Sequence, residues 1–434
     1  MNHTEDFAAA AATRVPTTEH RVHRDDVDSN ALSVTSTLTE AGFQAFLVGG
    51  CVRDLLLGAT PKDFDVATNA TPEQVRSLFR RSRLVGRRFR IAHVRFGRNE
   101  MVEVSTFRGS TPSDEPHEQR HSDDGLLLRD NVYGTLEEDA FRRDFTVNAL
   151  YYDPDTEEVL DFVGGMEDLA ERTLRCIGDP AQRLREDPVR LLRAIRFQAK
   201  LGFKLDSNIQ AELADTADRL GAIPPARLFD EFSKLFLSGY AESAWSIIDS
   251  TPIRAALFPC TVPEDEFVHR AMANTDARIN EGKPVTPGFL LAVLLWQDYL
   301  ARFAEQLQHK KPAEARANAA AMTLSDQQQI ISVPRRFSHF VRDVWGLQHR
   351  LEDRYARSIR RLLEHARFRA AYDFLVLRAE SGEGANIDEA ADWWTRFQDA
   401  DEDTQQQLID GRTAAQPQRP RRRRKRRSRK KPSA

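Results

Sequence analysis

Two adjacent glycines followed by a D-x-D pair limit what this chain can fold into more than any other feature of its sequence. Residues 46–48 are predicted to form a buried strand that ends at Gly49 and Gly50, and a short helix separates these glycines from Asp63 and Asp65. Because glycine has no Cβ, a phosphate group can approach the backbone N–H groups where the next helix begins. In an extended strand Asp63 and Asp65 project to one face, where two carboxylates and substrate phosphates together hold Mg²⁺. The spacing therefore predicts a site for a nucleotide triphosphate and its metals.

Length and composition indicate a globular protein of two or three domains. The chain has 434 residues, of which 41% are hydrophobic, which is enough for substantial cores. Its longest apolar run, residues 289–296, is too short to cross a bilayer, so we expect no membrane span. Cys51, Cys176 and Cys260 are widely spaced and show no disulfide or metal-binding pattern. This cysteine usage predicts the reducing cytoplasm as the compartment.

Charge is distributed unevenly along the chain. Eleven of the 63 Lys and Arg residues lie between Arg419 and Lys431, where no acid occurs, so residues 1–418 carry 52 basic and 66 acidic groups, a formal −14. A segment of like charges with nothing apolar to bury cannot fold by itself. The C-terminal tail is therefore predicted to be disordered and to attract a polyanion.

The pattern of elements predicts an α+β protein, with a mixed sheet and helices in an N-terminal head and an all-α body after it. Capping boxes begin helices at Thr71 and Thr135, the second opening a helical pattern over residues 135–152. Hairpins are expected over residues 90–107 and 151–163, and all five tryptophans lie in the helical part, where we interpret them as core. The predicted divisions are a disordered arm (1–30), the head (31–167), a helical neck (168–235), the all-α body (236–410) and a basic disordered tail (411–434).

Two further segments place polar side chains where chemistry is possible. Glu103 alternates with apolar neighbours in a predicted strand, and a Glu on the open face of a sheet is either a solvated side chain or a ligand. On a helix, Asp144 and Asn148 would share a face, either as a simple i,i+4 pair or as part of a site.

A third segment, residues 186–197, combines acids and arginines at helical spacing. Asp187 and Arg190 would place a planar acceptor and a planar donor on one face, and Glu186 lies four residues before Arg190 to steady its guanidinium. Such a pair can read a base, with Asp187 accepting from the adenine N6 amino group and Arg190 donating to N1. A surface ion-pair helix is the alternative, and it would contribute little stability.

Together these motifs resemble the polymerase-β-type nucleotidyltransferase superfamily. L-V-G-G-C-V-R-D-L-L-L-G with D-F-D-V-A-T is similar to the branch that holds bacterial poly(A) polymerases and CCA-adding enzymes, and R-R-D-x-x-x-N and E-D-x-x-R-x-x-R-A-x-R-F follow in the family order. The string G-R-R-F-x-I-x-H-V at residues 86–94 resembles the one that separates the poly(A) polymerases from their relatives. The resemblance implies template-independent addition of AMP from ATP to RNA 3′ ends with release of pyrophosphate, marking RNA for decay.

The resemblance also implies roles for individual residues. Two Mg²⁺ ions, for which Mn²⁺ could substitute, would be held by Asp63, Asp65 and Glu103. The catalytic carboxylates would be Asp63, Asp65, Asp144 and Glu103, and the nucleotide would be bound by Gly49, Gly50, Arg53, Arg143, Asn148, Glu186, Asp187 and Arg190. The helical neck (168–235) would carry the base-recognition and RNA-binding helices. RNA would also be held by the tail residues Arg421, Arg422, Arg423, Arg424, Lys425, Arg426 and Arg427. The expected partners are ATP, single-stranded RNA 3′ ends and RNA-degradation machinery or an RNA chaperone.

Two alternatives stay open at this point. A tRNA CCA-adding enzyme would use the same motifs, because cytosine and adenine both present an amino donor beside a ring-nitrogen acceptor. A noncatalytic RNA-binding adaptor is the alternative of another class, although the intact carboxylates argue against it.

Overall fold

The structure is a computed structural model that describes residues 12–86, 90–97, 100–109, 120–121, 127–129 and 132–415. The chain divides into two compact units. The first comprises Met1–Pro259, Thr275–Glu281 and Gln328–Ser332, and the second comprises Cys260–Asn274, Gly282–Gln327 and Val333–Ala434. The predicted head and neck thus share one unit, and the finer domain boundaries stay a prediction.

The strands are β1 (Thr13–Val15), β2 (Ala45–Val48), β3 (Asp65–Thr68), β4 (Ser82–Val85), β5 (Ile91–Arg95), β6 (Met101–Thr106), β7 (Arg120–His121), β8 (Leu127–Arg129), β9 (Leu150–Tyr152), β10 (Val159–Asp161), β11 (Thr173–Leu174) and β12 (Lys204–Leu205). Eight of them form a mixed sheet in the order β1-β10-β9-β2-β3-β6-β5-β4. Within this sheet β3 and β6 run parallel, whereas the β5–β6 and β9–β10 pairs are antiparallel hairpins as predicted.

The helices up to residue 257 are α1 (Ser29–Glu40), α2 (Gly50–Leu56), α3 (Pro72–Leu78), α4 (Leu136–Arg142), α5 (Gly165–Glu171), α6 (Pro180–Glu186), α7 (Val189–Leu201), α8 (Ser207–Ala211), α9 (Leu213–Arg219), α10 (Pro225–Phe236), α11 (Ala241–Asp249) and α12 (Ile253–Leu257). Both predicted capping boxes are present: the Thr71 and Thr135 side chains each accept from the backbone N–H three residues on.

The remaining helices are α13 (Glu266–Asn280), α14 (Pro287–Leu294), α15 (Trp296–Leu307), α16 (Pro312–Ile330), α17 (Arg335–Asp353), α18 (Ile359–Leu363), α19 (Phe368–Glu380), α20 (Ala385–Asp399) and α21 (Glu402–Ala415). An α+β head followed by a helical remainder is therefore confirmed. No helix in the described part of the chain is long and apolar enough to cross a membrane.

Each unit has its own hydrophobic core. In the first unit, Phe46, Phe107 and Tyr151 pack together on the sheet with Leu160. In the second, a cluster around Trp394 joins α17, α19 and α20. All five tryptophans are buried, which agrees with their interpretation as core: Trp245, Trp296, Trp345, Trp393 and Trp394.

The expectation that residues 1–30 are a disordered arm was wrong from residue 13 onward. Residues 13–15 form β1, an edge strand that pairs antiparallel with β10, and Val15 is buried there. Helix α1 begins at Ser29, inside the arm that was expected to be disordered, because the Asp28 side chain accepts from two backbone N–H groups of its first turn.

The helix expected over residues 135–152 ends at Arg142. Phe145 has extended backbone angles and pairs as an isolated bridge with Cys176, and the N–H of Thr146 donates to the carbonyl of Arg175. A single 3₁₀ turn at Thr146–Asn148 then leads into β9. Pairing with a distant segment overrides the local helical pattern, so Asp144 and Asn148 do not lie on one helix.

Candidate active site

The parallel pairing of β3 with β6 places two of the predicted carboxylates side by side. Asp65 and Glu103 are register partners, so the Glu103 strand lies beside the strand that begins at Asp65. Asp63 lies just before β3 begins, and its side chain is exposed. Burial, followed by repulsion from Glu103, raises the pKa of Asp65 to about 6, with Arg143 opposing the shift.

This carboxylate pair fits a divalent cation. Two neighbouring oxygen ligands that repel each other are stabilised by a hard cation between them, and carboxylates are the ligands that Mg²⁺ and Mn²⁺ prefer. Among the described residues, however, no three His, Cys, Asp or Glu side chains are grouped closely enough to hold a metal. His93, the register partner of Glu103 on β5, places its Nε2 3.3 Å from Glu103 Oε1.

The glycine turn lies beside an arginine from another segment. Gly49 has φ 81° and ψ −129°, a conformation that favours glycine, and α2 begins at Gly50. A Cβ on Gly49 would lie 3.7 Å from Nη1 of Arg143, so this guanidinium is next to the turn. The structure thus brings Gly49 and Arg143 together, as expected for residues that share one ligand.

Arg143 is held by two residues that the sequence analysis did not single out. Its guanidinium donates to Asp139 Oδ2 at 2.8 Å and to the Tyr151 hydroxyl at 2.9 Å, and that hydroxyl donates to Asp139 Oδ2 at 2.7 Å. Burial by itself raises the pKa of Asp139, but the charge of Arg143 and the hydrogen bonds outweigh it, and the pKa is lowered. The i,i+4 spacing of Asp139 and Arg143 in the sequence is typical of such an ion pair, but only Arg143 was predicted to be a site residue.

Arg53 lies in the interior. Its side chain is 2% exposed and donates to Asp54 Oδ1 and to Asn148 Oδ1, at 2.6 and 2.5 Å. Asp54 also accepts from Lys200 of α7 at 2.9 Å, and Arg53 stacks over Phe197. For Arg53 and Asn148 this geometry favours a bracing role between α2 and α7 over a direct contact with phosphate.

Asp144 joins the head to the neck helix. Its side chain accepts from Arg193 of α7 at 2.5 and 2.7 Å and from the backbone N–H of Phe145. Asn148 contacts it at 3.4 Å, although the two do not share a helix. Burial raises the pKa of Asp144, but the Arg193 charge and these hydrogen bonds dominate and hold it at about 2. Asp144 is therefore an ionised brace at neutral pH, and its partner Arg193 belongs to the quoted motif although no site role was predicted for it.

The base-reading residues straddle a helix break rather than sharing one helix. α6 ends at Glu186, Asp187 caps it, and Arg190 lies on α7, because the intervening proline starts a new helix. Arg190 is 3.6 Å from Glu186, so the expected steadying contact is present. Asp187 accepts from Nη2 of Arg227 at 2.7 Å, a partner 40 residues away that no local pattern indicated.

Two of the predicted elements lie outside the described residues. These are residues 87–89 of the G-R-R-F string and the basic tail residues 421–427.

A mixed sheet with carboxylates on neighbouring parallel strands, beside a glycine turn, is the arrangement of a nucleotidyltransferase head. The Poly A polymerase head domain family matches residues 45–175, the probable RNA and SrmB-binding site of polymerase A matches residues 202–264, and the polymerase A arginine-rich C-terminus matches residues 308–430.

Individual relatives agree with these matches. Poly(A) polymerase I of Escherichia coli O6:H1 is 44% identical over 405 residues, which cover 90% of this chain and 87% of the relative. The CCA-adding enzyme of Lactobacillus helveticus is 36% identical over 228 residues, covering 52% and 55%. The Bacillus stearothermophilus CCA-adding enzyme in complex with CTP shares the fold, with TM-score 0.58 and 23% identity over 89% of this chain and 82% of that one. The chain belongs to the family of bacterial poly(A) polymerases and CCA-adding enzymes.

Proposed function

We propose that this protein is a template-independent poly(A) polymerase that adds AMP from ATP to RNA 3′ ends. The observation that carries the proposal is the register pairing of Asp65 with Glu103. The proposal is supported by 44% identity to Poly(A) polymerase I over 90% of the chain. In the reaction, the RNA 3′ oxygen bonds to the α-phosphorus of ATP while the bond to pyrophosphate breaks.

Different residues of the chain would bind the triphosphate end and the adenine end of ATP. Asp65 and Glu103, joined by the exposed Asp63 when metal is bound, would hold Mg²⁺ or Mn²⁺, which supplies charge neutralisation and activation of the attacking hydroxyl when bound. Arg143, fixed beside Gly49, offers positive charge to the triphosphate.

The adenine end is assigned to Glu186, Asp187 and Arg190 at the junction of α6 and α7. Because Arg227 already donates to Asp187, that carboxylate has one oxygen committed within the protein. Arg190 likewise commits its Nη1 to the Arg183 carbonyl, so Asp187 and Arg190 remain equal candidates for the direct contacts to adenine.

The cellular setting is also part of the proposal. The three cysteines are free, and two of them, Cys51 and Cys176, are buried, which fits a reducing cytoplasm. Tailing would mark RNA for decay, so the degradation machinery or an RNA chaperone is the expected protein partner.

One assay separates the three candidate functions. Radiolabelled ATP and CTP are offered separately, with a generic RNA oligomer and with tRNA that lacks its CCA end. We expect a ladder from ATP on the oligomer and no extension from CTP. Label from CTP on the truncated tRNA alone would identify a CCA-adding enzyme. No incorporation by the folded protein under any condition would identify a noncatalytic adaptor.

A further inference from the structure

Arg183 lies on α6, just before the predicted motif at residues 186–197. Its side chain binds the main chain of the head. Its Nη2 donates to the carbonyl oxygens of Arg142 and Arg143, both at 2.7 Å. These carbonyls lie where α4 ends, and carbonyls at a helix C-terminus lack intrahelical partners. The Arg183 guanidinium therefore fixes the backbone from which the Arg143 side chain projects.

The other side of Arg183 faces the residues assigned to the base. Nη1 of Arg183 lies 3.3 Å from Glu186 Oε2, and the Arg183 carbonyl accepts from Nη1 of Arg190 at 2.6 Å. Arg190 is also an ion-pair neighbour of Glu186. If Arg190 moves when a base binds, its hydrogen bond to the Arg183 carbonyl and the shared Glu186 carboxylate transmit that movement to Arg183.

This placement is electrostatically costly. The Arg183 side chain is only 17% exposed, and burial together with the charge of Arg190 lowers its pKa to about 10. A guanidinium buried beside another guanidinium is worse for stability than an apolar side chain of similar length would be. Its planar fork, however, can bind two carbonyls and a carboxylate at the same time.

The side chain of Arg143, whose backbone Arg183 binds, is itself held in place by hydrogen bonds. Asp139 and Tyr151 hold its guanidinium, which lies beside Gly49. A shift of the backbone at residues 142–143 would therefore move the guanidinium relative to the glycine turn.

We propose that Arg183 is a positioning residue that couples recognition of the base at Glu186 and Arg190 to the placement of Arg143 beside the glycine turn. This inference rests on the proposed function. When the correct base binds, Arg190 keeps its hydrogen bond to the Arg183 carbonyl. Arg183 then keeps its bonds to the carbonyls of residues 142 and 143, so that Arg143 stays in position to bind the triphosphate. A wrong base then lowers the rate of transfer as well as the affinity.

A double-mutant cycle between Arg190→Met and Arg143→Lys measures the coupling as kcat/KM for ATP. It is run in three backgrounds: wild type, Arg183→Met and Arg185→Met. Arg185 is the matched control, because it lies on the same helix and is exposed. In the wild-type and Arg185→Met backgrounds we expect the product of the single losses to exceed the double loss by about fivefold or more. In the Arg183→Met background this factor should fall to about one.

Each outcome decides the proposal. Equal coupling in all three backgrounds, or none in the wild type, would overturn it. If circular dichroism shows that Arg183→Met does not fold, Arg183→Lys is measured in its place. Its single ammonium cannot reproduce the fork, so its coupling should be intermediate, and undiminished coupling would refute the role. A wild-type protein that adds no AMP at all overturns the proposed function instead, and this inference with it.

Discussion

Tyr151 and Tyr152 are adjacent on β9, and both are 0% exposed, but their hydroxyl groups have opposite surroundings. The Tyr151 hydroxyl accepts from Arg143 and donates to Asp139. The Tyr152 hydroxyl has no hydrogen-bond partner among the described residues. Replacing each tyrosine by phenylalanine therefore removes the same atom from two different environments.

The expected magnitudes follow from these hydrogen bonds. Hydrogen bonds to charged groups contribute about 1.5–3 kcal/mol each, and Tyr151→Phe removes two. Because Asp139 and Arg143 still bond directly at 2.8 Å, we expect about half of that to be recovered, which leaves a net destabilisation of about 1.5–3 kcal/mol. Tyr152→Phe should leave stability unchanged or raise it by up to about 1 kcal/mol, since it removes an unsatisfied buried polar group.

Urea unfolding followed by circular dichroism measures both variants. A destabilisation of about 1.5–3 kcal/mol corresponds to a thermal midpoint lowered by roughly 3–12 °C for a unit of this size. Hydrogen exchange at residues 150–161 should locate the loosening in β9 and β10 for Tyr151→Phe alone. Equal destabilisation of the two variants would refute the reasoning, because it would mean that the hydrogen bonds of Tyr151 contribute nothing beyond packing.

Three other predictions concern the site and the tail. Asp63→Ala and Asp65→Ala should each lower AMP transfer at least roughly 1000-fold in a protein still folded by circular dichroism, because each removes a proposed metal ligand; near-wild-type extension of RNA would contradict the metal assignment. The pKa of Asp144 is lowered from 3.8 to about 2, so its stabilisation is present above pH 4 and is lost as the pH falls from about 4 to 2. Asp144→Asn should flatten the dependence of the unfolding free energy on pH in that window, and an unchanged slope would argue against the Arg193 pairing. Truncation after Pro417 should flatten the plot of log RNA affinity against log salt, by about 0.7 for each phosphate that the tail neutralises, while activity at saturating RNA is retained; equal slopes would exclude a role for the tail in binding RNA.

The sequence predicts those parts of the site that depend on local pattern. Strand alternation and the resemblance together placed Glu103 beside the D-x-D strand, and the capping boxes at Thr71 and Thr135 marked two helix starts correctly. These features depend on residues within a few positions of each other, or on motifs whose order is diagnostic.

The rest depends on interactions between distant segments. Arg183 reaches a carbonyl 41 residues away, and Arg193 reaches Asp144 from a position 49 residues later in the chain. No periodicity indicates such pairs. Helix α4 ends early for the same reason, because a distant segment intervenes. The bridge between Phe145 and Cys176 competes with the helix that the local sequence pattern predicts.

Strand β1 imposes an order of events on folding during synthesis. Residues 13–15 leave the ribosome early, but their partner β10 begins at residue 159, so β1 has no strand to pair with until most of the head has emerged. Pairings of such long sequence separation form slowly. Until they form, the outer edge of β10 exposes unpaired N–H and C=O groups of the kind that pair with another chain. A deletion through Val15 would keep that edge open, and the shortened protein would then be prone to edge-to-edge aggregation even though the candidate active-site residues were untouched.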